Sequence, residues 1–326
     1  MSVHQVVIFD KNKSVSLRGV AALCVMLGHI TSLYPWYIQR LFPGELCVGL
    51  FFFFSGYGLY KSYSERGQSY LTGFWWKKFR TIYLPFLYAE TFMTLSVLIV
   101  NSNISFTELV LGATGIHLYN SALWYIIELL IINFLFWCFA KFFKLSQRAE
   151  LVRVWILAYI CFLTLGVLTG IGTWWYISSS GFLLGALACN KEHIIKKIIS
   201  NNWSFHVCFL FIIIYLLSLY LSKCGESVFN LPTNYILTAI TMILVPLFIY
   251  TCAVLFQHVK KVGGVFHYLG IMSLEIYLWH IPVFYLVKII TSDRLMIILL
   301  TVFITIIISA LFRYKDLKHQ LIKKNV

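Results

Sequence analysis

Acidic side chains are what this sequence has least of: Asp and Glu together number 12 in 326 residues, and charged residues of either sign make up only 12%. A soluble globule carries nearer one quarter charged and about one half apolar residues. A chain that is 60% hydrophobic, with a mean hydropathy of +0.83, is therefore excluded from that class. It reads as an all-α polytopic membrane protein. A disulfide framework is also lacking. Cys24, Cys138, Cys161, Cys208 and Cys252 fall inside apolar runs and Cys189 at the end of one, where a thiol behaves as a small hydrophobe. Only Cys47 and Cys224 could meet oxidising solvent, and no spacing resembles a zinc site, so no metal is expected. Behind the first apolar run there is no small-residue cleavage pattern, which predicts a retained helix and not a removed signal peptide. Low-complexity linkers, internal repeats and interleaved basic and aromatic patterns on a soluble element are missing as well. Nucleic acid is accordingly not an expected partner.

What is present is a series of apolar runs long enough to cross about 30 Å of hydrocarbon: 16–37, 47–60, 79–100, 121–140, 154–170, 174–189, 205–221, 235–256, 266–290 and 296–312. They predict about ten transmembrane helices in one domain over 1–326, with a short N-terminal segment, 1–15, and a basic tail, 313–326. Basic residues gather on alternate connections. One side holds Lys77, Lys78 and Arg80, then Lys141, Lys144 and Arg148, then Lys191, Lys196 and Lys197, then Lys260 and Lys261, and finally Arg313, Lys315 and Lys318. The other holds little beyond Arg40, Lys223, Lys288 and Arg294. That bias predicts both termini in the cytoplasm. The net charge of +14 then reflects topology and contact with anionic lipid.

The first apolar run carries Arg18 and His29. Eleven positions at about 100° each return to nearly the same azimuth, roughly 16 Å further along the axis. Ionisable groups inside a bilayer cost about 2.5–3.5 kcal/mol each on insertion scales, so two on one face suggest use. The alternative is a snorkelling topology charge and a hydrogen-bonded packing histidine. Counting along the other helices brings Glu90, Glu128, Glu275 and His280 to the middle and outer leaflet, which points to a polar cavity. Glu275 and His280 differ by about 140° of azimuth and cannot both face one point in a regular helix; Ser273, Tyr277 and His280 share a face more naturally. For Glu275 a structural hydrogen-bonding role stands beside a catalytic one.

Five stretches, in order, then carry a resemblance. SLRGVAALCVMLGHI separates Arg18 from His29 by ten intervening residues, and GLFFFFSGYGL (49–59) runs phenylalanines into Ser55 and Gly56. FWWKKFRTIYLPFL (74–87) places Lys77 and Arg80 before Pro85; ALWYIIELL (122–130) and LGIMSLEIYLWHIPV (269–283) follow. Together they resemble the integral-membrane acyltransferase family 3, whose members move acyl groups, most often acetyl, onto surface glycans. Two departures stand out. Many members have an acidic residue just before the second-helix phenylalanines, where this chain has Gly49, so any role of that acid is absent or falls to Glu90, Glu128 or Glu275. Some members also carry a soluble hydrolase-like domain after the last helix; here only a short basic tail follows, and the membrane unit is expected to act alone or with a separate partner.

The resemblance implies a membrane-bound O-acyltransferase with no permanently bound cofactor, taking acetyl-CoA or another acyl-CoA as donor from the cytoplasm. Arg18, Lys77, Lys78 and Arg80 would receive its phosphates, although inner-surface charges are expected in any such protein. His29 would act as general base on an acceptor hydroxyl or would itself carry the acyl group, with Glu90, Glu128, Glu275 or His280 in support. The implied acceptor is a lipid-linked or nascent surface polysaccharide, with glycan-assembly proteins as further partners. The expected location is the cell membrane, as in a bacterial plasma membrane. A secondary transporter is the rival class, for which midplane acids are equally natural; it predicts related halves or broken helices in corresponding positions.

Overall fold

The computed structural model describes residues 11–39, 41–100, 105–142, 148–169, 172, 174–200, 204–221, 227–228, 231–258 and 264–318. Helices dominate: α1 (Lys11–Ile30), α2 (Trp36–Gln39), α3 (Gly44–Arg66), α4 (Phe74–Lys78), α5 (Leu84–Val100), α6 (Phe106–Ala113), α7 (Trp124–Phe142) and α8 (Arg148–Thr169). Then come α9 (Trp174–Ser178), α10 (Ser180–Asn190), α11 (Glu192–Ile199), α12 (Ser204–Leu221), α13 (Thr233–His258), α14 (Val265–Ile271), α15 (Ser273–Ile290) and α16 (Arg294–Phe312). A π-helical turn, Phe79–Tyr83, joins α4 to α5. Among the described residues the extended structure is one antiparallel pairing, Ser227–Val228 with Leu231–Pro232.

Seven helical segments are long and apolar enough to cross a bilayer: Asn12–Leu33, Phe74–Val100, Ser121–Phe142, Ser204–Leu221, Ile236–Leu255, Ser273–Ile290 and Arg294–Phe312. With backbone groups satisfied inside each segment, they make this a multi-pass helical membrane protein. Large apolar side chains such as Phe205, Phe209 and Leu216 stand exposed along α12, as a lipid-facing surface requires. The other sequence runs are helical but less regular. The run 154–170 lies in α8, whose apolar stretch is the shorter Val152–Gly166. The run 47–60 lies in α3, which continues through Lys61, Glu65 and Arg66. The run 174–189 divides at Ser179 between α9 and α10, and 266–290 divides at Met272 between α14 and α15. Hydropathy cannot show these divisions, because an apolar run stays apolar across a turn.

The chain forms two compact units. One comprises Val15–Gly44, Thr72–Ile131 and Gly264–Val326. Within it α1 crosses α14 backbone to backbone. A Cβ on Gly19 would lie 2.5 Å from the Phe266 carbonyl oxygen, and one on Gly270 would collide with the Val15 carbonyl. Such close crossings through small residues are how helices associate where lipid offers no hydrophobic contrast. α15 and α16 are joined by a short turn, and Asp293 caps α16 by accepting the Met296 N–H at 2.7 Å. Val283, Val287 and Ile297 pack with Leu33, Phe284 and Leu300 near that turn. Phe92 of α5 meets Trp279 edge-on, ring centres 5.3 Å apart. α6 opens on a capping box in which Ser105 and Glu108 satisfy each other's backbone N–H.

The second unit comprises Met1–Ser14, Glu45–Leu71 and Ile132–Gly263. Its tight contact is between α3 and α10, where Gly181 and Gly185 lie against the carbonyls of Gly49 and Phe53 and Gly56 lies against that of Phe182. This accounts for the glycines that flank the phenylalanine run. Ser178 donates to the Glu45 carbonyl at 3.2 Å and Lys61 pairs with Glu192 at 3.4 Å. The N-terminal residues 1–10, Arg40, Lys144, Lys223, Lys260, Lys261 and the end of the basic tail lie outside the described residues.

Candidate active site

His29 lies one residue from the end of α1, and in the same unit His280 lies midway along α15. Their ring centres are 5.2 Å apart, with planes tilted by 36°. His280 is fully buried. Its Nδ1 faces the carbonyls of Tyr277, at 2.7 Å, and Ile276, at 3.2 Å. A carbonyl only accepts, so the proton must sit on Nδ1. That leaves Nε2 as a bare acceptor, buried and without a hydrogen-bond partner. His29 is different in kind. It is exposed, so part of its ring stays accessible from outside the packed helices.

One turn before His280, Tyr277 presents its phenol on the same face, as the spacing predicted. Its hydroxyl donates to the Ala122 carbonyl. Its ring lies 5.8 Å from that of His280 and 5.2 Å from that of Tyr125 on α7. Glu128, buried and one turn beyond Tyr125, is close enough to act on Tyr277 electrostatically. Glu128 therefore joins the histidine pair through Tyr277. The 3₁₀ turn Ser121–Leu123 allows this, since it delivers the Ala122 carbonyl to α15 immediately before α7 begins.

Glu275 points elsewhere, as its azimuth required. One oxygen accepts from Arg313 Nε at 2.7 Å, and the other is buried without a hydrogen-bond partner. Arg313 also donates to Asp316 at 3.1 Å. Arg18, two turns before Met26 on α1, has a buried Nε with no hydrogen-bond partner, and both Tyr125 and Arg313 are within electrostatic reach of it. Glu90 is fully buried. Its carboxylate accepts the backbone N–H of Tyr119 at 2.6 Å and of Asn120 at 3.4 Å, so it holds the loop before α7. Lys77, Lys78 and Arg80 stand on α4 and the π-helical turn. Lys78 covers the ring of Phe74, at 5.3 Å, and Arg80 that of Trp76, at 5.7 Å.

The structure thus brings His29, His280, Tyr277 and Glu128 into one cluster and Arg18, Glu275 and Arg313 into another, with Tyr125 reaching both; Glu90 stands apart from them. Tyr125 and Arg313 were not singled out from the sequence. The signal for Arg313 was present: Glu275 and Arg313 lie at nearly equal distances from the short α15–α16 turn, so a helical hairpin must bring them level. No group of His, Cys, Asp and Glu among the described residues could hold a metal ion.

A multi-pass helical membrane protein with histidines from two helices in ring contact is the class that these features define. The family model described as an acyltransferase domain matches residues 16–314, and the chain belongs to that family, acyltransferase family 3. Neither a curated protein nor a solved structure matches it.

Proposed function

We propose that the protein moves acetyl from cytoplasmic acetyl-CoA to a hydroxyl of a surface polysaccharide or lipid-linked glycan, with His29 at the reacting centre. The observation that carries this reading is the exposed His29 ring set against a buried His280 whose free nitrogen can only accept. A His29 N–H turned toward His280 Nε2 leaves the other His29 nitrogen as an acceptor for the substrate hydroxyl. That nitrogen removes the proton from the acceptor hydroxyl as the oxygen attacks the thioester carbonyl. The carbon–sulfur bond then breaks, and the departing sulfur takes the proton back from the imidazolium. The two rings stand further apart than a hydrogen bond here; such contacts tighten as charge develops. Acyl transfer through His29 itself uses the same geometry, with the imidazole nitrogen attacking the thioester first.

Arg18, with Lys77, Lys78 and Arg80, would face the donor's phosphates. In this reading about ten spans place both termini in the cytoplasm of a bacterial cell, the protein lies in the plasma membrane, and glycan-assembly proteins supply the acceptor. Two measurements test it. Purified protein should release CoA from labelled acetyl-CoA when acceptor is added, whereas a permease would not. Deleting the gene should remove ester acetyl from the surface glycan, read by mass and proton resonance. An unchanged glycan beside an acetylated free cytoplasmic sugar overturns the acceptor assignment.

A further inference from the structure

Arg313 follows the last residue of an apolar helix of 19 residues, where a basic residue is expected on topological grounds alone. Its side chain does not simply snorkel to water. It turns back onto Glu275, which is 3% exposed, while its own side chain remains 27% exposed. A guanidinium has five N–H donors; those of Arg313 reach Glu275 through Nε and Asp316 through Nη1. Near it stands Arg18, whose Nε is buried without a partner. The close crossing of α1 and α14 at Gly19 and Gly270 brings these groups level, because it leaves no side chain to hold the two helices apart.

The charges in this cluster do not balance. Arg18 and Arg313 are two cations, and Glu275 is the buried anion between the helices; Asp316, 57% exposed, is screened by solvent. A guanidinium whose buried Nε–H is unmet, beside a second guanidinium, is poorly compensated by protein alone. Planar guanidinium forks match the geometry of phosphoryl oxygens. Glu275 engages Nε of the Arg313 fork and the exposed Asp316 engages Nη1, so Nη2 is left to donate to a further acceptor. We propose that Arg18 and Arg313 together bind a phosphoryl group, with Glu275 as the positioning residue that orients Arg313. The phosphoryl group favoured is the diphosphate of the CoA donor, so the inference rests on the function proposed above and adds Arg313 to its donor-binding residues. An anionic phospholipid headgroup presents the same chemistry and is the other source.

The test is binding of CoA itself, which needs no turnover, to full-length protein in nanodiscs made with and without phosphatidylglycerol. Arg313→Gln alone leaves Glu275 as an unpaired buried carboxylate and could lose the fold. The double variant Arg313→Gln/Glu275→Gln removes both charges and keeps a hydrogen-bonded pair. Its unliganded melting temperature reports whether the fold survives, and Arg313→Lys keeps the charge without the fork. The expected result is at least ten-fold weaker CoA binding for the double variant, partial recovery for Arg313→Lys, and pantetheine, which lacks the diphosphate, bound equally by all. Equal affinity of wild type and the folded double variant for CoA overturns the donor assignment. If phosphatidylglycerol then raises the melting temperature of wild type and not of the variant, the site belongs to lipid and the inference about the donor is wrong. A wild type that binds CoA through Arg313 yet transfers no acetyl supports this inference and removes the transferase reading instead.

Discussion

His280 has one ring nitrogen engaged with backbone and the other left to accept, so in the proposed mechanism it acts through His29 and not on substrate. General acid–base groups contribute about 10²–10⁴-fold, and His29→Ala is expected to lower transfer by that range while the protein still inserts. His280→Ala should lower kcat by a smaller factor, on the order of 10–100-fold if it only orients its neighbour. The double variant should be no worse than His29→Ala, because residues that act as one unit are not additive. Multiplicative losses in steady-state kinetics would make the two histidines independent. Glu90 separates a structural acid from a chemical one. Glu90→Leu strands the N–H groups of Tyr119 and Asn120, with a cost of about 1–3 kcal/mol that should appear as a lower melting temperature in detergent, whereas Glu90→Gln keeps an acceptor and should be mild. Much of this cluster could be read from azimuth alone: Tyr277 and His280 face together, and Glu275 faces away. What azimuth cannot supply is the neighbour. Nothing in a list of spacings says that the glutamate on α5 meets loop amides while the one on α7 meets Tyr277.

The elements raise a different question, namely how helices built mostly from large side chains come close enough to align their polar groups. In the His29 unit the answer is Gly19 against α14 and Gly270 against α1. Gly270→Ala puts a methyl into the Val15 backbone, where only separation of the helices makes room. Overpacking of this kind costs about 1–3 kcal/mol, so the expected outcome is a lower melting temperature together with weakened donor binding, since Arg18 and Arg313 are no longer level. Full activity in that variant would show that the crossing is not needed. α6 gives a pH-dependent counterpart. The Ser105 backbone N–H and hydroxyl hold the exposed Glu108 carboxyl below its ordinary range. The capping box is therefore strongest above the usual carboxylate pKa and is lost as pH falls through the lowered one. Amide exchange at the start of α6 should accelerate on acidification in wild type; Glu108→Gln should abolish that dependence, whereas Ser105→Ala, which keeps the backbone N–H, should only weaken it. The helices themselves were legible because apolar runs of this length have no other use. Their ends were not, since the chain turns at Met272 and Ser179 without any change in hydropathy.

For the whole molecule, reporter fusions at Ser105 and Lys191 are expected to report opposite sides of the membrane, outside and inside; the same side for both would remove the proposed topology. The division into two units has a consequence for how the protein comes into being. The unit that holds His29 and His280 is written in three separate pieces, and everything from Glu45 to Leu71 and from Ile132 to Gly263 belongs to the other. A ribosome working at about 5–20 residues per second needs roughly 10–40 s to travel from the first piece to the last. Throughout that interval α1 waits in the bilayer with Arg18 and His29 already placed and neither Arg313 nor His280 yet made. Until α15 and α16 arrive, the polar groups of the nascent helix lack the partners that they have within their unit. A chain stalled before Gly264 thus carries His29 without His280, and the cluster stays incomplete until the third piece of its unit has been made.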